Sequence, residues 1–233
     1  MAPKVLVVLT SQAMIPANSH PSGWYLPELA HPFYILNGKV DLTVTSPKGG
    51  EAPLAPDSIK LSQHDALSMK FLKEQRPLWS NTVKLREIIP RADEFGALFY
   101  VGGHGPMFDL TNDADSIALI ERFVAAQKPI ASVCHGPAVL LKAKTPSGQS
   151  IIDGVRVTGL SNAEEDAVGT TSVMPFLLES ELDRISGKYV KAKPFSENVV
   201  VSRSAGNGSL IITGQNPASA AAVGEEILKA LSL

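Results

Sequence analysis

The stretch Ala131-Ser132-Val133-Cys134-His135-Gly136-Pro137-Ala138 puts the chain's single cysteine where a strand-like run turns abruptly into a helix-like one. Such an elbow holds a nucleophile in a strained backbone conformation, needs small residues such as Gly136 beside it, and lets Pro137 open the helix without wasting an amide. A helix N-terminus behind the sulfur favours thiolate over thiol, and the His135 N–H points to where an oxyanion forms. A lowered thiol pKa follows as an expectation. Lone cysteines are often no more than small apolar core residues. The carboxyl end of a strand in an open sheet is, however, where ligands bind, and that position favours chemistry.

Outward from the elbow, Pro129 to Val133 is one of five short runs rich in Val, Ile and Leu. The others are Val5 to Leu9, Val40 to Thr45, Ala97 to Val101 and Val155 to Thr158. Between and after them, Leu26 to Leu36, Asp113 to Gln127, Pro137 to Lys144, Asn162 to Ile185 and Asn216 to Leu231 read as helices, with Ile117, Ile120, Phe123 and Val124 at helical spacing. This alternation predicts an α/β fold, a flavodoxin-like three-layer sandwich whose mostly parallel central sheet is covered on both faces. Residues 49–91 carry Pro53, Pro56, Pro77 and Pro90 and no strand-like run, so they are expected to form a helical insertion that lies over the sheet as a lid within one domain of residues 1–233. Asn198 to Ser202 and Ser209 to Thr213 flank Ala205-Gly206-Asn207-Gly208, the pattern of a C-terminal antiparallel hairpin.

Composition narrows the partner. Of 233 residues 44% are hydrophobic, and 21 Lys and Arg stand against 23 Asp and Glu, for a net charge of -2 with no basic run. Electrostatic capture of nucleic acid or an anionic membrane is not expected, which leaves a small or neutral ligand. One cysteine excludes an intrachain disulfide and a Cys-rich zinc site, and fits a reducing compartment. The apolar run Val5 to Leu9 is too short for a signal peptide core. A cytoplasmic location is the expectation, with room for a nuclear share.

Other strand ends supply partners for Cys134. Gly102-Gly103-His104-Gly105 follows the run ending at Val101, and its glycines bring main-chain amides close to a ligand, so Gly103 N–H can complete an oxyanion hole with His135 N–H. His104 is either a pocket wall or a solvated loop residue. Glu28 opens the helix after the first run, where the dipole favours a carboxylate in any case, yet it also stands close enough to share a proton with the sulfur. Glu164 and Glu165 open the helix after Gly159, and either can orient His135. No phosphate-binding loop, dinucleotide fingerprint or HExxH motif is present, so neither cofactor nor metal is expected.

Taken together, Glu28-Leu29-Ala30-His31-Pro32-Phe33, the glycine loop, Val133-Cys134-His135-Gly136-Pro137, Thr158-Gly159-Leu160 and Thr213-Gly214-Gln215-Asn216-Pro217-Ala218-Ser219 resemble the DJ-1/PfpI superfamily, in particular its fungal Hsp31-like branch. The resemblance implies a nucleophile at Cys134, its histidine at His135, a proton-handling glutamate at Glu28 and a triad acid at Glu165, with Glu164 the competing neighbour. It further implies a homodimer and glyoxalase III activity, in which methylglyoxal and related 2-oxoaldehydes become 2-hydroxy acids such as D-lactate without glutathione, metal or nucleotide. Glu28→Gln is expected to disable that reaction with little change in stability. Three other readings stand beside it: a stress-associated holdase chaperone for unfolded client proteins, a redox sensor oxidised at Cys134, and a cysteine peptidase or amidase.

Overall fold

The computed structural model describes residues 2–233. Its strands are β1 (Lys4–Val8), β2 (Met14–Ile15), β3 (His20–Pro21), β4 (Asp41–Ser46), β5 (Val83–Lys84), β6 (Ala97–Tyr100), β7 (Ile130–Val133), β8 (Val199–Arg203) and β9 (Leu210–Gly214). Seven of them form one sheet in the order β5-β4-β1-β6-β7-β9-β8, while β2 and β3 make a small separate hairpin. Every neighbour in the large sheet runs parallel except β8, which pairs antiparallel with β9 through Val201 opposite Ile212. The C-terminal hairpin therefore extends the parallel sheet as its pattern predicts.

Strand β1 shows why the runs are apolar throughout rather than alternating. Leu6 and Val8 enter the core on one face and Val5 and Val7 the core on the other, all buried, because helices cover both sides. The face of Val5 carries α1 (Leu26–Leu36), α3 (Ala66–Glu74) and α9 (Ala220–Ala230); the face of Leu6 carries α5 (Leu85–Ile88), α6 (Ala114–Ala125) and α8 (Leu178–Ser186). Two shorter helices, α2 (Pro56–Leu61) and α4 (Arg76–Ser80), belong to the insertion, and α7 (Asn162–Ala167) follows the segment beside the elbow. No helix among the described residues is long and apolar enough to cross a membrane.

Four expectations need correction. Val155 to Thr158 is not a strand: the place beside β7 is taken by β9, and the run lies outside the ladder with only an isolated bridge from Val157 to Tyr189. Its apolar residues are nevertheless buried, which is why periodicity alone reads them as strand. Asn162 to Ile185 is not one helix, because Gly169, at φ +75°, and Pro175 separate α7 from α8. Pro137 to Lys144 is a tight 3₁₀ segment, Gly136–Leu141, instead of an α-helix. The insertion is not purely helical, since β5 pairs with β4 through Val83 opposite Thr45.

The insertion is part of the core on its side of the sheet. Trp24, fully buried, meets Phe71 and Trp79 edge to face at centroid distances of 6.4 and 5.7 Å, and its backbone exchanges hydrogen bonds with Pro53 and Ala55. Asp65 adds a polar clamp. It caps α3 by accepting from the Leu67 and Ser68 amides and takes a 2.6 Å hydrogen bond from His31 Nε2 on α1. Burial pushes the Asp65 carboxyl up, but His31 and Ser68 outweigh it and hold the pKa below its ordinary value. Its stabilisation is therefore present above the unfolded carboxyl pKa and lost as pH falls through the folded one. Asp65→Ala is expected to cost about 1–2 kcal/mol at neutral pH, measured by urea unfolding; an unchanged midpoint would remove the clamp from the account.

Candidate active site

The sheet reverses its winding between β1 and β6, and a crevice opens there beyond the carboxyl ends of the strands. Cys134, one residue past β7, has φ +60°, a left-handed conformation that a residue with a Cβ adopts only when its surroundings impose it. Two hydrogen bonds impose it, from the Cys134 amide to the Gly214 carbonyl at 3.0 Å and from the Leu160 amide to the Cys134 carbonyl at 2.9 Å. Gly136 is required by space, since a Cβ there would lie 2.8 Å from the Tyr100 carbonyl oxygen. The sulfur sits 3.5 Å from His135 Nδ1, and His135 Nε2 lies 2.7 Å from Glu165 Oε2, all three side chains buried.

Glu165, not Glu164, faces the imidazole. Glu164 is consumed by structure: Oε2 accepts from the Ser161 amide, the Ser161 hydroxyl and Gln215, and Oε1 accepts from the Phe195 amide and Asn216. Glu165 Oε1 accepts from the Thr170 hydroxyl and stands 3.5 Å from His104 Nε2. Burial raises the Glu165 carboxyl, but the imidazoles of His135 and His104 beside it and the hydrogen bonds from His135 and Thr170 hold it far below the usual carboxylate range, so it is an anion at any working pH. Glu165→Gln is expected to cut turnover about 10- to 100-fold by loosening His135. Glu164→Gln breaks a capping box and a five-bond hub, so its loss is expected in unfolding midpoint with kcat of the folded fraction retained. Melting curves run beside initial rates distinguish the two, and a selective loss of kcat at Glu164 would exchange the roles.

Glu28 lies in the first turn of α1 and is fully buried. Neither carboxyl oxygen has a hydrogen bond of good geometry. Burial pushes its pKa up to about 8, against weaker downward pulls from the Cys134 side chain and the Gly102 amide. Gly102 makes this approach possible: a Cβ there would fall 2.4 Å from the Val133 carbonyl oxygen, 2.5 Å from Glu28 Oε2 and 2.9 Å from Cys134 Cβ. The expected low thiol pKa does not hold. Burial pushes the Cys134 thiol well up, charge on Glu28 pushes the same way, and only the Gly103 amide draws it down. The helix dipole invoked for the opposite effect is missing, because the six-residue 3₁₀ segment behind the elbow aligns too few peptides. Two anions cannot share this apolar setting, so sulfur and carboxyl are both protonated near neutrality, and the thiol proton has to leave through His135 as a bond forms.

A cleft of about 470 Å³ leads toward these groups, with Tyr25, Ser58, Leu61, Gly103, His104 and Thr170 among its walls. Helix α2 of the insertion supplies one side of it through Ser58 and Leu61. His104 packs its ring 4.7 Å from that of His135. Burial keeps the His104 imidazole pKa below its ordinary value. Thr170 and Tyr25 were outside the sequence reading. Thr170 follows Glu165 by five residues, which an unbroken helix would not bring onto the same face; the break at Gly169 does. For a cation, the convergent donor set among the described residues is His104, His135 and Glu165.

Fold and site together define a class, α/β proteins with a cysteine elbow served by an adjacent histidine and a buried glutamate. The model of the DJ-1/PfpI family matches residues 80–230, and the chain belongs to that family. It is 25% identical to glyoxalase 3 of Candida albicans, over 97% of this chain and 98% of that one. It is 28% identical to the glutathione-independent glyoxalase HSP31 of Saccharomyces cerevisiae, over 94% of each. Among solved structures, the Rapid Encystment Protein 24 KDa of Francisella tularensis superposes with a TM-score of 0.89 at 34% identity, covering 98% of this chain and 99% of that one.

Proposed function

We propose that the protein is a cofactor-free, glutathione-independent glyoxalase that converts methylglyoxal and related 2-oxoaldehydes to 2-hydroxy acids. The observation that carries this reading is the contact chain from Cys134 through His135 to Glu165 beside a Glu28 that holds its proton near neutrality. Relatives named as glyoxalases over nearly the whole chain support it. The sulfur adds to the aldehyde carbon while its proton passes to His135 Nδ1, giving a hemithioacetal whose oxyanion is held by the amides of Gly103 and His135. Glu28 gives its proton to that oxyanion and, now a carboxylate, takes the hydrogen of the same carbon, while the electron pair runs into the neighbouring carbonyl, whose oxygen takes the proton from His135, to form an enediol. Returning the proton to the second carbon leaves a 2-hydroxy thioester, which water hydrolyses. One carbon is oxidised and its neighbour reduced by the same electron pair, so no external redox partner enters the balance.

The test is methylglyoxal consumption by the purified chain without glutathione, with lactate determined in the same samples. Equimolar lactate is expected, D-lactate if the proton returns to one face; consumption without lactate would end this reading. A thiol with a raised pKa argues against peroxide sensing as the main role, because the thiolate is the reactive species. A cytoplasmic setting suits a site that needs its one cysteine reduced. We also expect a homodimer; a light-scattering mass of one chain at micromolar concentration would remove that part.

A further inference from the structure

The proposed reaction leaves one group at the site without a partner. His104 Nε2 is buried and makes no proper hydrogen bond, standing 3.5 Å from Glu165 Oε1. With His135 Nε2 and the Glu165 carboxylate it forms a set of three ligand atoms that all lie within 4.8 Å of one another. Around a tetrahedral zinc ion with bonds near 2.0–2.1 Å, ligand atoms stand roughly 3.4 Å apart. The His104 to Glu165 separation already has that value. The His135 Nε2 contact, 2.7 Å, is a hydrogen bond to the other carboxylate oxygen, Oε2, so Glu165 either turns one oxygen toward both imidazoles or holds the ion with both oxygens once a cation takes the place of that hydrogen bond.

We propose that His104 Nε2, His135 Nε2 and Glu165 form an inhibitory site for a divalent ion of the Zn²⁺ class. Two imidazoles and a carboxylate suit Zn²⁺, Co²⁺ and Ni²⁺ and disfavour Mg²⁺ and Ca²⁺, which demand more oxygen ligands. His104 and Thr170 line the cleft, so an entering ion meets the cluster from the solvent side and keeps a fourth position for water. Binding takes the Nε2 lone pair, which moves the single proton of the neutral His135 ring from Nε2 to Nδ1 and breaks the His135 to Glu165 hydrogen bond. With Nε2 metallated, the proton of the neutral ring resides on Nδ1, the atom facing the sulfur, and His135 can no longer receive the thiol proton. The ion therefore blocks the reaction without touching Cys134.

The effect on turnover rests on the proposed glyoxalase reading; the binding does not, and the experiment separates them. Co²⁺ is titrated into the intact protein and into Cys134→Ala, His104→Ala and His104→Gln, followed by visible absorption and displaced by Zn²⁺. Wild type and Cys134→Ala are expected to show the same saturable band of a tetrahedral ion, undisturbed by millimolar Mg²⁺. Both His104 variants, checked for native circular dichroism, are expected to bind at least about 10-fold more weakly. Zn²⁺ should abolish methylglyoxal turnover and a chelator restore it. A band absent from wild type, a sulfur charge-transfer band lost in Cys134→Ala, or equal affinity in folded His104 variants overturns the site. Tight binding in a chain that shows no glyoxalase activity in any form would keep the site and discard only its inhibitory role.

Discussion

Cys134→Ala is expected to lower glutathione-independent turnover of methylglyoxal to the uncatalysed background. No other thiol exists in the chain, and the buried groups around the sulfur supply only proton transfer and oxyanion stabilisation, which cannot act until a covalent adduct forms. The substitution removes a single heavy atom from a side chain that is 5% exposed, and it keeps the Cβ that the elbow already accommodates at φ +60°. Fold and stability should therefore change little. Lactate release measured beside a thermal melt checks both halves. Activity persisting in a correctly folded Cys134→Ala would show that the elbow is not the seat of the chemistry, whereas a holdase acting through its apolar surface would tolerate this change.

Glu28→Gln is expected to reduce turnover by about 10²- to 10⁴-fold, the range for loss of a positioned acid-base group, and at the same time to stabilise the fold. The second half corrects the expectation of unchanged stability. The ordinary carboxyl value near 4.5 rises to about 8 on burial, so between those values the folded chain keeps a proton that the unfolded chain releases. Stability then falls as pH rises from about 4.5 to 8, and below that window the penalty vanishes. Glutamine is neutral throughout and close in shape. Its advantage should be small at pH 4.5 and reach on the order of 2–4 kcal/mol at pH 8. Urea unfolding of both proteins at the two pH values gives the difference directly. Equal stability at both would mean that Glu28 is not held protonated, and would take the proton shuttle with it.

The elbow was legible because its requirements are local. A nucleophile after a buried strand, a glycine where the Tyr100 carbonyl leaves no room for a Cβ, and a proline that starts the next turn follow from backbone sterics within a few residues. The parallel sheet was legible for a related reason, since strands such as β1 bury both faces and carry continuous apolar runs. Where the same signal has two physical origins, reading stopped. Val155 to Thr158 is buried and apolar without joining the ladder, and the helix-like stretch behind Pro137 closes as a 3₁₀ segment with too few aligned peptides to offset the burial and the Glu28 charge that raise the thiol pKa.

Residue order alone settled the fold class, the position of Cys134 at a strand end and the short set of glutamates that could serve it, because periodicity and turn chemistry act over a few residues. The choice between Glu164 and Glu165, the burial that keeps Glu28 protonated and the convergence of His104 on Glu165 belong to tertiary structure alone. Adjacent residues on one helical turn point in different directions, so Glu164 meets Phe195 and Asn216 while Glu165 meets His135. Desolvation is likewise a property of everything packed around a group, and here the strands and loops around Glu28 come from parts of the chain as far apart as residues 28, 102 and 134.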